Sequence, residues 1–435
     1  MIMMKKTVPL VLILFCLNLP GALAQEKTPG EKQFGITFSG FVKNDFFFDS
    51  RQTVSAREGH FLLWPSAVKE DAMGNDIHAR SNFNFLAVQS RLTGKITGPD
   101  ALGAKTSGVI EGDFFAQSNA NINLFRLRHA FISLEWEKTR LLTGQYWNPL
   151  FVTGCFPGTV SFNTGTPLQS FARNPQIRVT RTQGNFRFLA AALAQRDYTS
   201  RGPDPADNQL TSVSSEYLRN AFLPDMHLQV HYSQQDTENG TAFLAGIGGA
   251  YKTIVPRLSS SMGDDTYKVN EYVSGVTAIA FSKITLPAVT IKVQGRYGEN
   301  IADVLSISGF AMKETINGIT GERSYTPLQN VTAWGEIHTN HERWQFGLFG
   351  GYLENLGTKE SMSDPDNPVY GLATNIASLY RVSPRVIYRS GKFKAAAELE
   401  YTVAAYGSDY DSSYTPGETE SAANTRILLS TIYNF

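Results

Sequence analysis

Cysteine is nearly missing from this chain of 435 residues: Cys16 lies in an apolar leader, and Cys155 stands alone after it. One thiol cannot close an internal disulfide, and no Cys/His spacing suits a structural zinc. Cys155 therefore reads as a small buried side chain. Beyond the leader no run of 18 apolar residues occurs, which excludes helices that cross a bilayer. Charge is scarce, at 18% of residues, and balanced, with 39 Lys plus Arg against 39 Asp plus Glu. Near-neutrality gives no case for nucleic acid as a partner. Nothing in the chain calls for a metal or an organic cofactor, and no convincing amphipathic helix is found.

What the chain does contain is alternation and aromatic residues, the latter at 12%. At the C-terminus Ile427, Leu429, Thr431, Tyr433 and Phe435 share one parity, while Arg426, Ser430 and Asn434 take the other. A period of two with a terminal ring describes a strand with one face in lipid, or the last strand of a soluble sheet. The Tyr433-x-Phe435 ending is similar to that of bacterial outer-membrane barrels, where it serves as a signal to the barrel assembly machinery. Residues 1–24 are built like a secretory signal peptide. Lys5 and Lys6 precede an apolar stretch from Val8 to Leu19, and Ala22-Leu23-Ala24 forms a cleavage site. Cleavage would remove two bases and no acid, leaving a net charge of −2. Residues 25–34 form a short polar periplasmic lead-in, and 35–435 carry no linker or composition break.

Sixteen strand segments are predicted, near 35–49, 78–97, 104–117, 122–137, 140–147, 173–181, 185–199, 221–237, 241–254, 269–282, 289–301, 329–339, 343–355, 375–388, 392–407 and 422–435. The joints sort by parity. Those after even strands are tight, such as Glu238-Asn239-Gly240 and Ser390-Gly391; those after odd strands are long and polar, such as 50–77 and 302–328. The tip at Ser118-Asn119-Ala120-Asn121 is the short exception. Short periplasmic turns and long outer loops are the rhythm of a transmembrane antiparallel β-barrel, all-β and of 16 strands. Two segments break parity, 78–97 at Phe85/Leu86 and 122–137 between Arg128 and Ile132. A β-bulge in each would restore alternation; a miscount would make 14 or 18 strands.

A 16-stranded tube is wide enough for water, so its inward face should carry function. Alternation places Arg126, Arg128, Arg178, Arg296, Arg343, Arg381 and Arg385 there, with Glu111 and Asp113. Such bases either attract anions or solvate a wet wall by pairing with nearby acids. In the hairpin of segments three and four, positions summing to about 239 should face each other, setting Asp113 against Arg126 and Glu111 against Arg128. His129 falls on the opposite face. The third outer loop, 148–172, has no charged residue but holds Phe151, Phe156, Phe162 and Phe171. A loop of that composition packs against something: folded into the lumen as a constriction, dipping into the membrane, or against another subunit.

Six pieces carry a family resemblance: Gly40-Phe41-Val42-Lys43-Asn44-Asp45, Ile110-Glu111-Gly112-Asp113-Phe114-Phe115, Phe125-Arg126-Leu127-Arg128-His129-Ala130-Phe131, Leu142-Thr143-Gly144-Gln145-Tyr146-Trp147, Thr159-Val160-Ser161-Phe162-Asn163, and Arg173-Asn174-Pro175-Gln176-Ile177-Arg178-Val179-Thr180. In this order, over residues 40–180, they resemble the DcaP-like family of trimeric outer-membrane porins. The resemblance implies a non-enzymatic homotrimeric channel in the outer membrane of a Gram-negative bacterium. It would sit among outer-membrane lipid and lipopolysaccharide and pass small anionic, dicarboxylate-like solutes by passive diffusion. It carries over Arg126 and Arg128 as pore-lining bases. The alternatives are an outer-membrane barrel enzyme, which needs a Ser/His or Asp/His constellation near the outer rim, and a hydrophobic-solute transporter, which needs an N-terminal plug.

Overall fold

The structure is a computed structural model that describes residues 34–435; the expected signal peptide, residues 1–24, and the expected lead-in up to residue 33 lie outside the described residues. Alternating β-branched and aromatic residues build long strands here, because one face can shed its apolar side chains outward while the other keeps polar ones in. The barrel strands are β1 (Gly35–Asp49), β2 (Asn82–Leu86 and Arg91–Thr97), β3 (Lys105–Asp113) and β4 (Arg126–Glu135). β5 (Thr139–Trp147), β6 (Arg173–Gln183), β7 (Phe186–Leu193) and β8 (Asp225–Asp236) follow. Next come β9 (Thr241–Ile254), β10 (Val273–Thr285), β11 (Val289–Glu299) and β12 (Glu322–Thr339). β13 (Trp344–Thr358), β14 (Ile376–Ser390), β15 (Phe393–Tyr410) and β16 (Pro416–Asn434) complete the wall. Each pairs antiparallel with its chain neighbour, and β1 pairs with β16 from Phe41↔Asn434 to Asp49↔Arg426, so the sheet closes on itself. Closure removes the sheet edge along the seam from Phe41↔Asn434 to Asp49↔Arg426.

The faces separate as alternation requires. On β8, Met226, Leu228 and Val230 are exposed while His227, Gln229 and His231 are buried. On β14, Tyr380 and Val382 are exposed while Arg381, Ser383 and Arg385 are buried. Both parity breaks are one-residue excesses. Between Phe41↔Arg91 and Asp45↔Leu86, three residues of β1 face four of β2. Phe83 and Phe85 thus share the outer face with Leu92. In β4 the pairs Glu111↔His129 and Gly112↔Leu127 leave Arg128 as the extra residue. That bulge corrects the register expected for Glu111, whose Cα partner is His129, and it turns His129 inward as well as Arg128.

The wall is uneven. β3, β4 and β5 have 9, 10 and 9 residues, whereas β12, β15 and β16 have 18, 18 and 19. Segment 185–199 stops early, at Leu193, and the chain then bends back, setting Asp197 against Arg173. The outer part of β12 gains a partner strand, Ser308–Asn317, from what sequence marked as loop. The largest apolar cluster joins Phe61 and Trp64 of the first outer loop and Phe151, Phe162 and Phe171 of the third to wall residues such as Phe281, Trp334 and Phe349.

Candidate functional site

The inner wall over β3 and β4 is an ion-pair lattice. Arg126 Nε meets Asp113 Oδ1 at 2.8 Å, as the hairpin arithmetic required. Arg128 reaches both acids from the bulge: Nε to Glu111 Oε1 at 2.8 Å and Nη1 to Asp113 Oδ2 at 2.7 Å. Asp197 extends the lattice, accepting from Arg173 Nε at 2.9 Å and standing 4.0 Å from Arg126 Nη1. Aromatic faces cover the cations: Arg126 lies 5.0 Å over Phe115, and Arg173 lies 5.2 Å over Trp147. Buried charges persist only when paired and hydrogen-bonded, and here they are.

Across the barrel, the third outer loop meets the wall through its backbone. Glu336 accepts from Gly158 N, and Glu398 accepts from Val160 N at 2.6 Å and Ser161 N at 3.1 Å. Asn163 Nδ2 donates to Glu400 Oε1 at 2.7 Å. Bases hold the loop carbonyls: Lys43 Nζ donates to Val160 O at 2.8 Å, and Arg381 Nη1 donates to Thr166 O at 2.8 Å. Arg381 also donates to Leu63 O at 2.7 Å and to Thr402 Oγ1 at 2.8 Å, so one guanidinium clamps both loops to β14 and β15. Arg385 pairs with Glu336 at 2.7 Å. A Cβ at Gly158 would come within 3.0 Å of Glu336 Oε1 and 2.9 Å of Arg385 Nη2, so a larger residue there would have to displace the ends of that ion pair. Phe151 stacks on Trp147 at 4.0 Å, Phe162 on Phe115 at 4.0 Å, and Phe171 meets Phe61 at 5.4 Å; Phe156 is the one of the four that stays partly exposed.

Two expected wall bases differ from the rest. Arg296 is buried, with Nη2 donating to Ser306 Oγ at 2.6 Å and Nη1 to Ser170 Oγ of the third loop. Arg178 lies on the inner face of β6, where Nε donates to Gln176 Oε1 at 2.9 Å. Arg343 is a correction in part: its side chain sits exposed in the turn before β13, which begins at Trp344, although its carbonyl still accepts from Arg389 N of β14 at 2.8 Å. His129 is the other, since it packs inward against Trp147 at 5.4 Å. Tyr433 and Phe435 are exposed on the outer face at the β1–β16 seam, where Phe435 N donates to Gly40 O at 3.1 Å. Residues missed from sequence include Asp45, which pairs with Lys43 at 3.2 Å, and Asp49, which pairs with Arg426. The apolar run Phe61-Leu62-Leu63-Trp64-Pro65, buried within a loop taken as polar, was the legible signal for the first loop.

Cys155 is fully buried in the third loop, with Sγ 3.4 Å from Ser282 O. Burial pushes its thiol up to about 11. At pH 8 about one thiol in a thousand would be ionised. Folded protein in detergent is therefore expected to resist maleimide labelling for hours, with stoichiometric labelling only after denaturation; rapid labelling of the folded form would disprove this packing.

No protein-family model matches the chain, and neither does any curated protein. Solved structures do match in fold. The outer membrane channel DcaP of Acinetobacter baumannii aligns with a TM-score of 0.65 at 15% identity, over 95% of this chain and 100% of its own. OmpT, an outer membrane protein of Vibrio cholerae, gives 0.53 at 11% identity, over 94% and 100%. An anion-selective porin from Comamonas acidovorans gives 0.51 at 11% identity, over 92% and 100%. The chain thus forms a closed 16-stranded antiparallel barrel with the fold of the DcaP outer-membrane channel, the fold that the ordered motifs of residues 40–180 implied.

Proposed function

We propose that this protein is a porin of the outer membrane of a Gram-negative bacterium. It passes small hydrophilic, anionic, dicarboxylate-like solutes by passive diffusion. The observation that carries the reading is the closed barrel with an apolar outside and a charged inside, an arrangement that only a bilayer around it and water within it would stabilise. The third loop is the constriction. Support comes from its hydrogen bonds to buried side chains on β1, β12, β14 and β15, which no loop lying outside the tube would reach together.

The assembly is a homotrimer among outer-membrane lipid and lipopolysaccharide, inserted by the barrel assembly machinery through the Tyr433-x-Phe435 ending. The low wall supports a neighbouring copy. A nine-residue strand such as β3, tilted at about 40°, stands about 23 Å high, short of an apolar band about 25 Å tall. Its tip exposes Phe114, Leu124 and Phe125 beside polar backbone, which lipid would not satisfy.

The inner wall supports a non-enzymatic role. Ser430 Oγ and His60 Nε2 both bond to Asp45, so the acid stands between the hydroxyl and the imidazole. A nucleophilic serine needs the imidazole in that middle place. In planar bilayers the purified protein is expected to give stepwise conductance, with a reversal potential in a KCl gradient that favours chloride. A potential of the opposite sign would remove the anion preference, and absence of steps would remove the porin.

A further inference from the structure

Of the wall arginines expected from sequence, Arg126, Arg128, Arg381 and Arg385 are paired with acids, whereas Arg178 and Arg296 have no carboxylate within 4.0 Å among the described residues. Arg126, Arg128, Arg173, Arg381, Arg385 and Arg426 each stand within 4.0 Å of a carboxylate. A guanidinium–carboxylate pair keeps little net field beyond its own separation, so such pairs attract no ion strongly at a distance.

A different part of the wall keeps its charge. Beneath the third loop, a cavity of about 350 Å³ lies against the inner face of β4 to β9, with Phe151 to Gly154 of the loop on one side and the β4–β5 turn on the other. Its charged lining divides in two. Arg140 pairs with Glu135 at 3.1 Å, and Lys138 stands 3.9 Å from Glu137, so those four cancel. Arg178 and Arg187 have no carboxylate within 4.0 Å among the described residues, and they leave the cavity with two uncompensated positive charges.

Arg178 is also held ready. Its Nε donates to Gln176 Oε1, its Nη2 donates to Trp147 O, and its guanidinium lies 5.1 Å over the Tyr146 ring. Its Nη1 donates to nothing among the described residues, which leaves a fixed, accessible donor facing no protein acceptor. Neutral partners fix the fork without neutralising it, the arrangement that suits transient capture of a carboxylate or another small oxyanion.

Building on the porin reading, we propose that Arg178 and Arg187 in this cavity, and not the paired Arg126 and Arg128, set the channel's preference for anions. The anion released past the constriction is taken up here by the two free guanidiniums and passed on toward the β4–β5 and β6–β7 turns. The test is ion selectivity in a KCl gradient, read from reversal potentials of single channels. In the double variant Arg178→Gln/Arg187→Gln the chloride-to-potassium permeability ratio is expected to fall about threefold or more while channel steps persist. Arg178→Lys/Arg187→Lys, which keeps both charges, should retain the wild-type ratio. Removing one charge of each sign in Asp113→Asn/Arg126→Gln should retain it too. Should the double variant not fold, Arg187→Gln alone removes an exposed side chain and is expected to give about half the shift on a logarithmic scale. Wild-type channels that are anion-selective and stay so in Arg178→Gln/Arg187→Gln would overturn the inference and leave the porin standing. So would a loss of selectivity confined to Asp113→Asn/Arg126→Gln. Wild-type protein with no channel steps would overturn the porin reading itself.

Discussion

Deletion of residues 152–168 is expected to raise single-channel conductance about threefold, measured in the same bilayers as the parent protein. The excised stretch contains Phe156, Phe162 and Leu168 together with the backbone donors bound by Glu336 and Glu398. The barrel should survive the cut because the loop's two ends already meet. Asn148 N donates to Ala172 O at 2.9 Å, and Gln169 Nε2 donates to Leu150 O at 3.4 Å, so a shortened joint does not pull on β5 or β6. The freed carboxylates and Arg381 would exchange loop partners for water, which satisfies them at little cost once the lumen is open. Unchanged conductance would show that the loop does not narrow the path. Lost channels with retained heat-modifiable migration would show that the barrel still folds and that the loop is needed for an open, assembled channel instead.

Most of the barrel could be read from the chain because a strand's two faces have opposite solvents. That is why β1 and β9 begin and end at Gly35, Asp49, Thr241 and Ile254, the bounds that alternation predicted. The parity breaks were legible for the same reason: Phe83 and Phe85 against Leu92, or Arg128 against Ile132, called for a bulge or a miscounted strand, and the pairing shows bulges. Pairing between adjacent strands followed from hairpin arithmetic, which gave Asp113 and Arg126. Arithmetic of that kind cannot see across the tube. The approach of Glu398 to Val160, 238 residues earlier, or of Arg381 to Leu63, rests on loops that obey no period. Nor could it tell a paired base from a free one. Arg128 and Arg178 look alike in sequence, yet one faces two acids and the other none among the described residues. Arg343 was misplaced by a different error, a strand start set one residue too early, which at a turn moves a side chain from wall to solvent.

The second large effect is expected at the seam. Arg426→Met should destabilise the barrel by about 3–5 kcal/mol, because it strands a buried carboxylate. Arg426 donates to Asp49 twice, Nε to Oδ1 at 2.9 Å and Nη2 to Oδ2 at 2.6 Å, directly across the β16–β1 pairing that closes the sheet. The same guanidinium donates to Gly59 O at 2.7 Å and lies 4.3 Å over Phe47, tying the first outer loop to the wall. With the arginine gone, Asp49 keeps only neutral help such as Asn424 Nδ2 at 2.8 Å. Removing the acid as well, in Arg426→Met/Asp49→Leu, should recover a large part of the loss, since a buried pair offsets its own desolvation and little more. The measurement is reversible unfolding in lipid vesicles with tryptophan fluorescence as the signal. A single variant within about 1 kcal/mol of the parent would mean that Asp49 is hydrated at the seam. A double variant that is worse than the single one would mean that each side chain stabilises closure through contacts other than the pair. If both expectations hold, the seam is shut by charge geometry that the period-two pattern of β16 could never by itself supply.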